Sequence, residues 1–231
     1  RYMVGGETIR FIYSKPFQEL FEKAADVDTL FVQTGPILGS DFNPHAQESS
    51  LRPLRKKILA SGATFVLGYF DEGSADDFDI PCSNEDATLV YEYLFRWILR
   101  DSTLGLIIKP KTPGTLLTRI SRIQNLVKKG IDSGRVCMLG VEQGEKYYAG
   151  AVGEIVDVCI GHLIGGSASF EAAQTGVPSV LVDEFDCPDH ELRKWCGAST
   201  IFNSLQDAEL AISQFRSNPK EVAHLGDWSN A

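Results

Sequence analysis

Cysteine and histidine are scarce in this 231-residue chain and stand in no metal-binding order. The five cysteines (Cys82, Cys137, Cys159, Cys187 and Cys196) are odd in number and lack C-x-x-C spacing, and the four histidines are scattered. No zinc framework and no disulfide framework can be read from them. Cys137 and Cys159 fall inside apolar runs, where a free thiol behaves as a small buried hydrophobe; a reducing compartment, the cytoplasm, is expected from that usage. No stretch approaches the roughly 18 consecutive apolar residues of a membrane span, and no basic–apolar–small signal pattern opens the chain. Positive charge is also short: 22 Lys and Arg stand against 31 Asp and Glu, a net charge of −9. Duplex nucleic acid needs a basic footprint and is not expected as a main partner, whereas one local pocket for a small phosphorylated ligand remains compatible with this balance. Common catalytic signatures are missing as well. There is neither G-x-G-x-x-G nor G-K-S/T, the dinucleotide and P-loop patterns, and without a G-x-S-x-G elbow Ser-His-Asp catalysis drops out.

What the chain does have is alternation. From Thr64 onward, short apolar runs rich in β-branched and aromatic residues recur: Thr64–Phe70, Leu104–Ile108, Val136–Leu139, Val156–Ile160, Ser179–Val182 and Ser199–Phe202. Helical periods lie between them. Asn84 to Arg100 sets Leu89, Tyr93, Leu94, Trp97 and Ile98 on one face, with Ser83 or Asn84 as N-cap and Glu85 and Asp86 in the first turn. Thr115 to Lys129 carries Leu116, Ile120, Ile123 and Val127 and closes on Lys128-Lys129-Gly130, a good helix ending. Nearly all-apolar strands alternating with helices predict an α/β fold, a Rossmann-like parallel sheet with helices on both faces, over residues 61–231. Residues 1–60 are less regular, with strand candidates Thr8–Tyr13 and Thr29–Gln33, a polar loop Gly35–Ser50 and a basic helix Leu51–Ala60. They are expected to be the tail of another domain or an N-terminal extension. The chain, opening at Arg1-Tyr2 and stopping at Trp228-Ser229-Asn230-Ala231, is expected to be a piece of a longer protein.

In an open parallel sheet, ligands bind beyond the carboxyl ends of the strands. The loops to read there are Asp71-Glu72-Gly73-Ser74, Lys109-Pro110-Lys111-Thr112, Gly140–Gly144, Gly161–Ser169 and Asp183-Glu184. Gly165 and Gly166 let the backbone approach a ligand with no Cβ in the way. A helix expected to begin near Ala168 offers free N–H groups to an anion, and Ser167 and Ser169 add hydroxyl donors. The alternative is that Ser167 caps the helix while the glycines turn the chain. Glu171, one turn on, can accept from ribose hydroxyls or lie on a solvated face. Lys109 and Lys111 follow a buried strand, in a turn stiffened by Pro110 and Pro113, and can neutralise phosphate; otherwise they form a solvated turn. Asp71 and Glu72 are candidates for a general base or for holding a sugar hydroxyl, against the alternative of an acidic surface loop. His162, directly after a strand, either polarises a ligand or is a hydrogen-bonded wall residue. His45 and His190 lie in loops without partner spacing.

With these residues in view, the segment Gly165–Asp183, GGSASFEAAQTGVPSVLVD, resembles the donor-site segment of two-domain B-type-fold glycosyltransferases and of the related UDP-sugar 2-epimerases. In both, a Gly/Ser loop opens a helix bearing a glutamate, here Glu171, and a G-x-P turn, here Gly176 to Pro178, leads to the next strand. The stretch Tyr69–Leu116 is similar to bacterial surface-carbohydrate biosynthesis proteins of this fold. The resemblance implies that residues 61–231 are a C-terminal nucleotide-sugar-binding half and residues 1–60 the tail of an acceptor-binding half, whose Gln33-Thr34-Gly35-Pro36 loop faces the cleft. It assigns Gly165, Gly166, Ser167 and Ser169 to the donor phosphates, Glu171 to the ribose, and Lys109 or Lys111 to phosphate charge; His162 is expected on the donor side from its own place after a strand. The implied reaction moves a sugar from a nucleotide-sugar donor to a glycan or glycolipid acceptor in surface polysaccharide assembly. It needs no metal or other cofactor, and any membrane association runs through partners. Where relatives using CMP- or CDP-linked donors carry Lys-Pro-His-Pro, this chain has Lys109-Pro110-Lys111-Thr112. Two further readings stay open, an epimerase-like enzyme on a UDP-sugar and a Rossmann-like binding module without catalysis.

Overall fold

The computed structural model describes residues 9–12, 15–24, 29–34, 44–76, 82–142, 144–222 and 224–228. It divides into two compact units, residues 1–43 with 229–231, and residues 44–228. In the smaller unit, strand β1 (Ile9–Ile12), helix α1 (Lys15–Ala24) and strand β2 (Leu30–Gln33) form a βαβ turn, the strands pairing in parallel from Ile9 opposite Leu30 to Ile12 opposite Gln33. The Arg10 guanidinium lies 4.6 Å from the centre of the Phe21 ring, which stacks on Phe31. Both strands were legible in the sequence. Helix α1 was not, although Pro16 in its first turn is compatible with a helix start. Thr8, Tyr13 and the Gly35-Pro36 part of the expected cleft loop lie outside the described residues.

The larger unit runs α2 (Pro44–Ala60), β3 (Phe65–Phe70), α3 (Asn84–Arg100), β4 (Leu104–Lys109), α4 (Leu116–Arg119), α5 (Gln124–Asp132), β5 (Val136–Met138), α6 (Ala149–Gly153), β6 (Val158–His162), α7 (Ser167–Ala173), β7 (Ser179–Val182), α8 (Leu192–Trp195), β8 (Ile201–Phe202) and α9 (Leu205–Ser217). All its strands are parallel, in the order β5-β4-β3-β6-β7-β8. Side chains alternate across a strand with period two, so each strand feeds two cores. On one face Leu67 and Tyr69, Leu106 and Ile108, and Val158 and Ile160 pack with Leu94, Phe95 and Ile98 of α3 and Ala208 and Ile212 of α9. On the other face Val66, Phe70, Ile107 and Cys159 pack with Leu51 and Ile58 of α2, Val152 of α6 and Ala172 of α7. The fold is thus α/β, a parallel six-stranded sheet with helices on both faces. Helix α2 belongs to this packing, and its start at Pro44 makes His45, read as a loop residue, helical.

Two close approaches set the helix positions. A Cβ on Gly105 would overlap the Ile58 Cγ2 methyl, so glycine lets α2 settle on β4. A Cβ on Gly161 would overlap the Ser169 side chain, so glycine lets α7 settle on β6. At the amino edge of the sheet, Asp157 accepts from Arg55 at 2.8 Å and from the Val66 N–H at 2.7 Å, tying α2, β3 and the entry to β6 together. Ser83 caps α3 in a reciprocal box with Asp86, as the spacing predicts.

The helix expected over Thr115–Lys129 is broken. Leu116–Arg119 and Gln124–Asp132 are separate α segments joined by a single 3-10 turn, and Gly130 lies inside α5 rather than ending it. A Cβ there would overlap the Phe95 ring, so Gly130 serves the contact between α5 and α3. Gly105→Ala is expected to destabilise the unit by about 1–3 kcal/mol, the usual cost of overpacking, despite the small gain from removing a strand glycine. Urea denaturation would read this as a lower midpoint at unchanged slope.

Candidate functional site

Strands β3 and β6 are neighbours, and the chain leaves them in opposite directions, β3 towards β4 and β5, β6 towards β7 and β8. Such a switch point opens a crevice at the carboxyl edge, the place where doubly wound sheets hold ligands. Asp71–Gly73 follow β3 at this edge, Lys109 ends β4, and His162 ends β6, leading through Leu163 and Ile164 to Gly165. Both Lys109 and His162 are strand residues; the sequence placed them one and two residues into the loops.

The period-two alternation sorts these side chains onto two sides. On the α3 side lies a buried polar chain. The Tyr69 hydroxyl is 2.7 Å from His162 Nε2, and His162 Nδ1 is 2.7 Å from the Glu184 carboxylate. Burial raises the Tyr69 pKa well above its ordinary range, reinforced by Tyr91 and the nearby carboxylates, so Tyr69 stays a phenol. For His162, burial on its own lowers the pKa. The Glu184 hydrogen bond and charge, with Asp71 and Glu72 adding, outweigh it, and the net direction is upward. Beside this chain the Arg119 guanidinium donates to Asp71 at 2.8 Å and to Ser74 Oγ at 2.9 Å, with the side chains of Arg119 and Asp71 only 7% and 3% exposed. The break after α4 brings Arg119 to this position.

On the α6/α7 side the charges are more open. The Lys109 ammonium makes no hydrogen bond or ion pair with the described residues, while its carbonyl accepts from the Asp71 N–H. Its pKa is lowered chiefly by burial, with the charges of Glu171, Glu72 and Asp71 pulling back upward. Glu171 accepts from the Gly150 N–H at 2.9 Å, at the start of α6. Lys111 reaches across Gly73 and ion-pairs with Glu72 at 2.6 Å. Burial raises the Glu72 pKa; the Lys111 hydrogen bond and charge, and the His162 charge, oppose this, and the net direction is upward. The Glu72 carboxylate lies on the face of Gly165 where a side chain would start, and Gly165 has a φ of +89°. Glycine is therefore required at 165 both by its left-handed backbone and by the carboxylate resting on it.

Asp71, Glu72, Lys109, Lys111, His162, Gly165 and Glu171 thus gather at one sheet edge. Ser169 does not join them: it is 1% exposed, packs on Gly161, and its Oγ has no hydrogen-bond partner among the described residues. Ser167 is the first residue of α7 rather than its cap, because Gly166 holds the N-cap position. Arg119, Tyr69 and the Gly150 N–H were not legible as site groups in the sequence. Arg119 and Tyr69 stood inside a helical and an apolar run with no signal to separate them from solvent or core; Glu184 was reachable through the rule that loops after strands carry the site. His190 serves locally, its Nδ1 accepting from the Leu192 N–H at the start of α8. Among the described residues no group of three or more His, Cys, Asp or Glu is placed to hold a metal ion.

No family model matches the sequence, and no curated protein is similar to it in sequence. Among solved structures the chain is similar to Anabaena Alr3699/HepE in complex with UDP and glucose, with a TM-score of 0.56 and 14% identity, over 96% of this chain and 57% of that one. At that identity the likeness is one of fold. This chain spans little more than half the length of that structure.

The raised His162 pKa has a definite sign. The stability it contributes is fully present below the unfolded imidazole value of about 6.5 and is lost as pH rises through the higher folded value. An NMR titration of the His162 ring is expected to give a pKa above 6.5 in the native chain. In Glu184→Gln that pKa should fall, because burial then meets less opposition.

Proposed function

We propose that this chain is the donor-binding half of a metal-independent glycosyltransferase, moving a sugar from a nucleotide-activated donor to a hydroxyl of a glycan or glycolipid acceptor in surface polysaccharide assembly. The observation that carries the reading is Lys109, a half-buried cation with no ion-pair partner among the described residues, at the end of β4 beside the switch point of a doubly wound sheet. Such a cation is poised for an anion. The likeness in fold to a protein holding UDP and glucose supports the same ligand class. The larger unit, residues 44–228, would be the nucleotide-sugar domain, its boundary lying before α2 rather than at the expected residue 60, and the smaller unit would be the tail of the acceptor-side domain.

In this reading Lys109 and Lys111 meet the donor diphosphate, Gly165 and Gly166 let it approach the backbone, and exposed Ser167 offers a hydroxyl. Glu171 gives one oxygen to Gly150 and keeps the other for a ribose hydroxyl. Ser169, buried against Gly161, supports α7 and takes no direct part. His162, held between Tyr69 and Glu184, lies beneath the loop beside the phosphate position. The acceptor oxygen bonds to the anomeric carbon as the bond from that carbon to the phosphate oxygen breaks. Negative charge then grows on the leaving diphosphate, where a fixed cation in a partly dry site has most effect. The acceptor proton goes to Glu72, whose raised pKa suits a base. Asp71, buried and engaged by Arg119, is a positioning residue for Arg119 and the Lys111 turn. No described helix is long and apolar enough to cross a membrane, and the proposed setting is the cytoplasm, with membrane contact through partners.

A thermal-shift screen of the chain against UDP, CMP, CDP, GDP, ADP and dTDP tests the reading. A nucleotide at ~100 times its Kd adds about 2.7 kcal/mol. One nucleotide is expected to stabilise the native chain, and Lys109→Met to weaken it by at least about tenfold, or 1.4 kcal/mol. Stabilisation by none of them would favour a binding module over an enzyme. Release of free nucleotide from a UDP-sugar without any acceptor would favour the epimerase-like alternative.

A further inference from the structure

The Glu72 carboxylate has an unusual seat. It rests on the bare face of Gly165 in the Gly/Ser loop, and it is held there by Lys111, whose stem crosses Gly73 at 3.6 Å from where a Cβ would stand. A glycine face and a lysine are what a phosphate would use at the same place, and here a carboxylate occupies them. The Glu72 side chain is 22% exposed and the Lys111 side chain 59%, so the pair sits at the mouth of the crevice rather than in the core. The fold does not need this carboxylate to be there. The anchors of β3 and β6 lie at the opposite edge, in Arg55 and Asp157, and the buried pair beneath the loop is Arg119 with Asp71. Lys109, close enough to feel the Glu72 charge, has no ion pair of its own.

We propose that the Glu72 carboxylate and the donor phosphate compete for one seat, the Gly165 face beside Lys111, so that nucleotide binding transfers Lys111 from Glu72 to the phosphate and frees Glu72. This inference rests on the nucleotide-sugar reading and goes beyond it by assigning a built-in latch. Two consequences follow from charge alone. Donor affinity is held down, since each binding event must break the Glu72–Lys111 pair. The carboxylate proposed as base is also tied down until a donor has displaced it, which couples its release to the presence of substrate. No bond is made or broken in the exchange; one ion pair replaces another, and both carboxylate and phosphate keep their charges.

The test is a double-mutant cycle read by calorimetry with two probes, UDP and inorganic pyrophosphate. Glu72→Ala is expected to tighten both by about tenfold or more, because a like charge is removed from the seat. Glu72→Gln, which keeps the side-chain volume, guards against a packing artefact and is expected to tighten them in the same direction. Lys111→Met should cost more affinity in the Glu72→Ala background than in the native chain, since only there is Lys111 free of a competing partner. Native binding with unchanged or weaker affinity in both Glu72 variants overturns the latch and leaves the donor-site reading standing. Equal Lys111→Met losses in the two backgrounds also overturn it, reducing Glu72 to a distant repelling charge. A native chain that binds neither probe while Glu72→Ala binds both is the strongest support. Failure of native and variant chains alike to bind either probe defeats the donor-site reading and the latch with it.

Discussion

The pairing of β3 with β6 is the contact on which the rest of the larger unit depends. Leu67, Gly68 and Tyr69 lie opposite Val158, Cys159 and Ile160, joining segments about ninety residues apart in the chain. Without that ladder the sheet would be two separate three-stranded sets and there would be no switch point. The Asp157 carboxylate strengthens the entry to the ladder by accepting both the Val66 N–H and the Arg55 guanidinium. A buried backbone N–H is costly to leave unpaired, so this one acidic side chain sets where β6 meets β3. From that register, Tyr69 arrives beside His162 and Glu72 arrives beside Gly165.

A second consequence of the ladder is the separation of chemistry by strand face. Alternate residues at the carboxyl edge point to opposite cores. Tyr69, Asp71 and His162 therefore enter the α3 side, where Glu184 and Arg119 satisfy them, while Glu72, Lys109 and Glu171 gather on the side of α6 and α7. The first group is buried and held in two hydrogen-bonded sets, Tyr69–His162–Glu184 and Asp71–Arg119–Ser74, suited to holding loops in place. The second is more open and carries a cation with no ion pair among the described residues. Burial acts on both in one sense, against the charged form. It keeps Tyr69 neutral, lowers the proton affinity of Lys109 and raises that of Glu72. One strand residue of difference separates a buried polar network from a more open charged edge.

Much of the sheet was legible because parallel strands covered on both faces are nearly all apolar, and such runs stand out between helical periods. Leu104–Lys109 and Phe65–Phe70 were found within a residue. The Ser83 cap was legible for the same local reason, since a capping box needs only its own first turn. The broken helix after Pro113 was not. Its apolar spacing suits one continuous helix, and what interrupts it is the packing that turns Arg119 inward and sets Gly130 against Phe95. Gly130 shows the limit well: as a local signal it reads as a helix end, while in three dimensions it is a contact point between two helices.

The sequence alone determined the α/β class, the parallel strands and the edge at which charged and glycine residues collect, because each follows from hydrophobic period and from short-range turn chemistry. It could not determine which of those residues face one another. Lys111 with Glu72, Glu72 on Gly165, and Arg119 with Asp71 span 39 to 93 residues of chain. Their meeting is decided by strand order and register. Whether Ser169 reaches a ligand or a neighbouring strand was likewise a matter of helix position, set by the room that Gly161 leaves. Local propensity chooses the elements; the site arises where the tertiary packing brings their ends together.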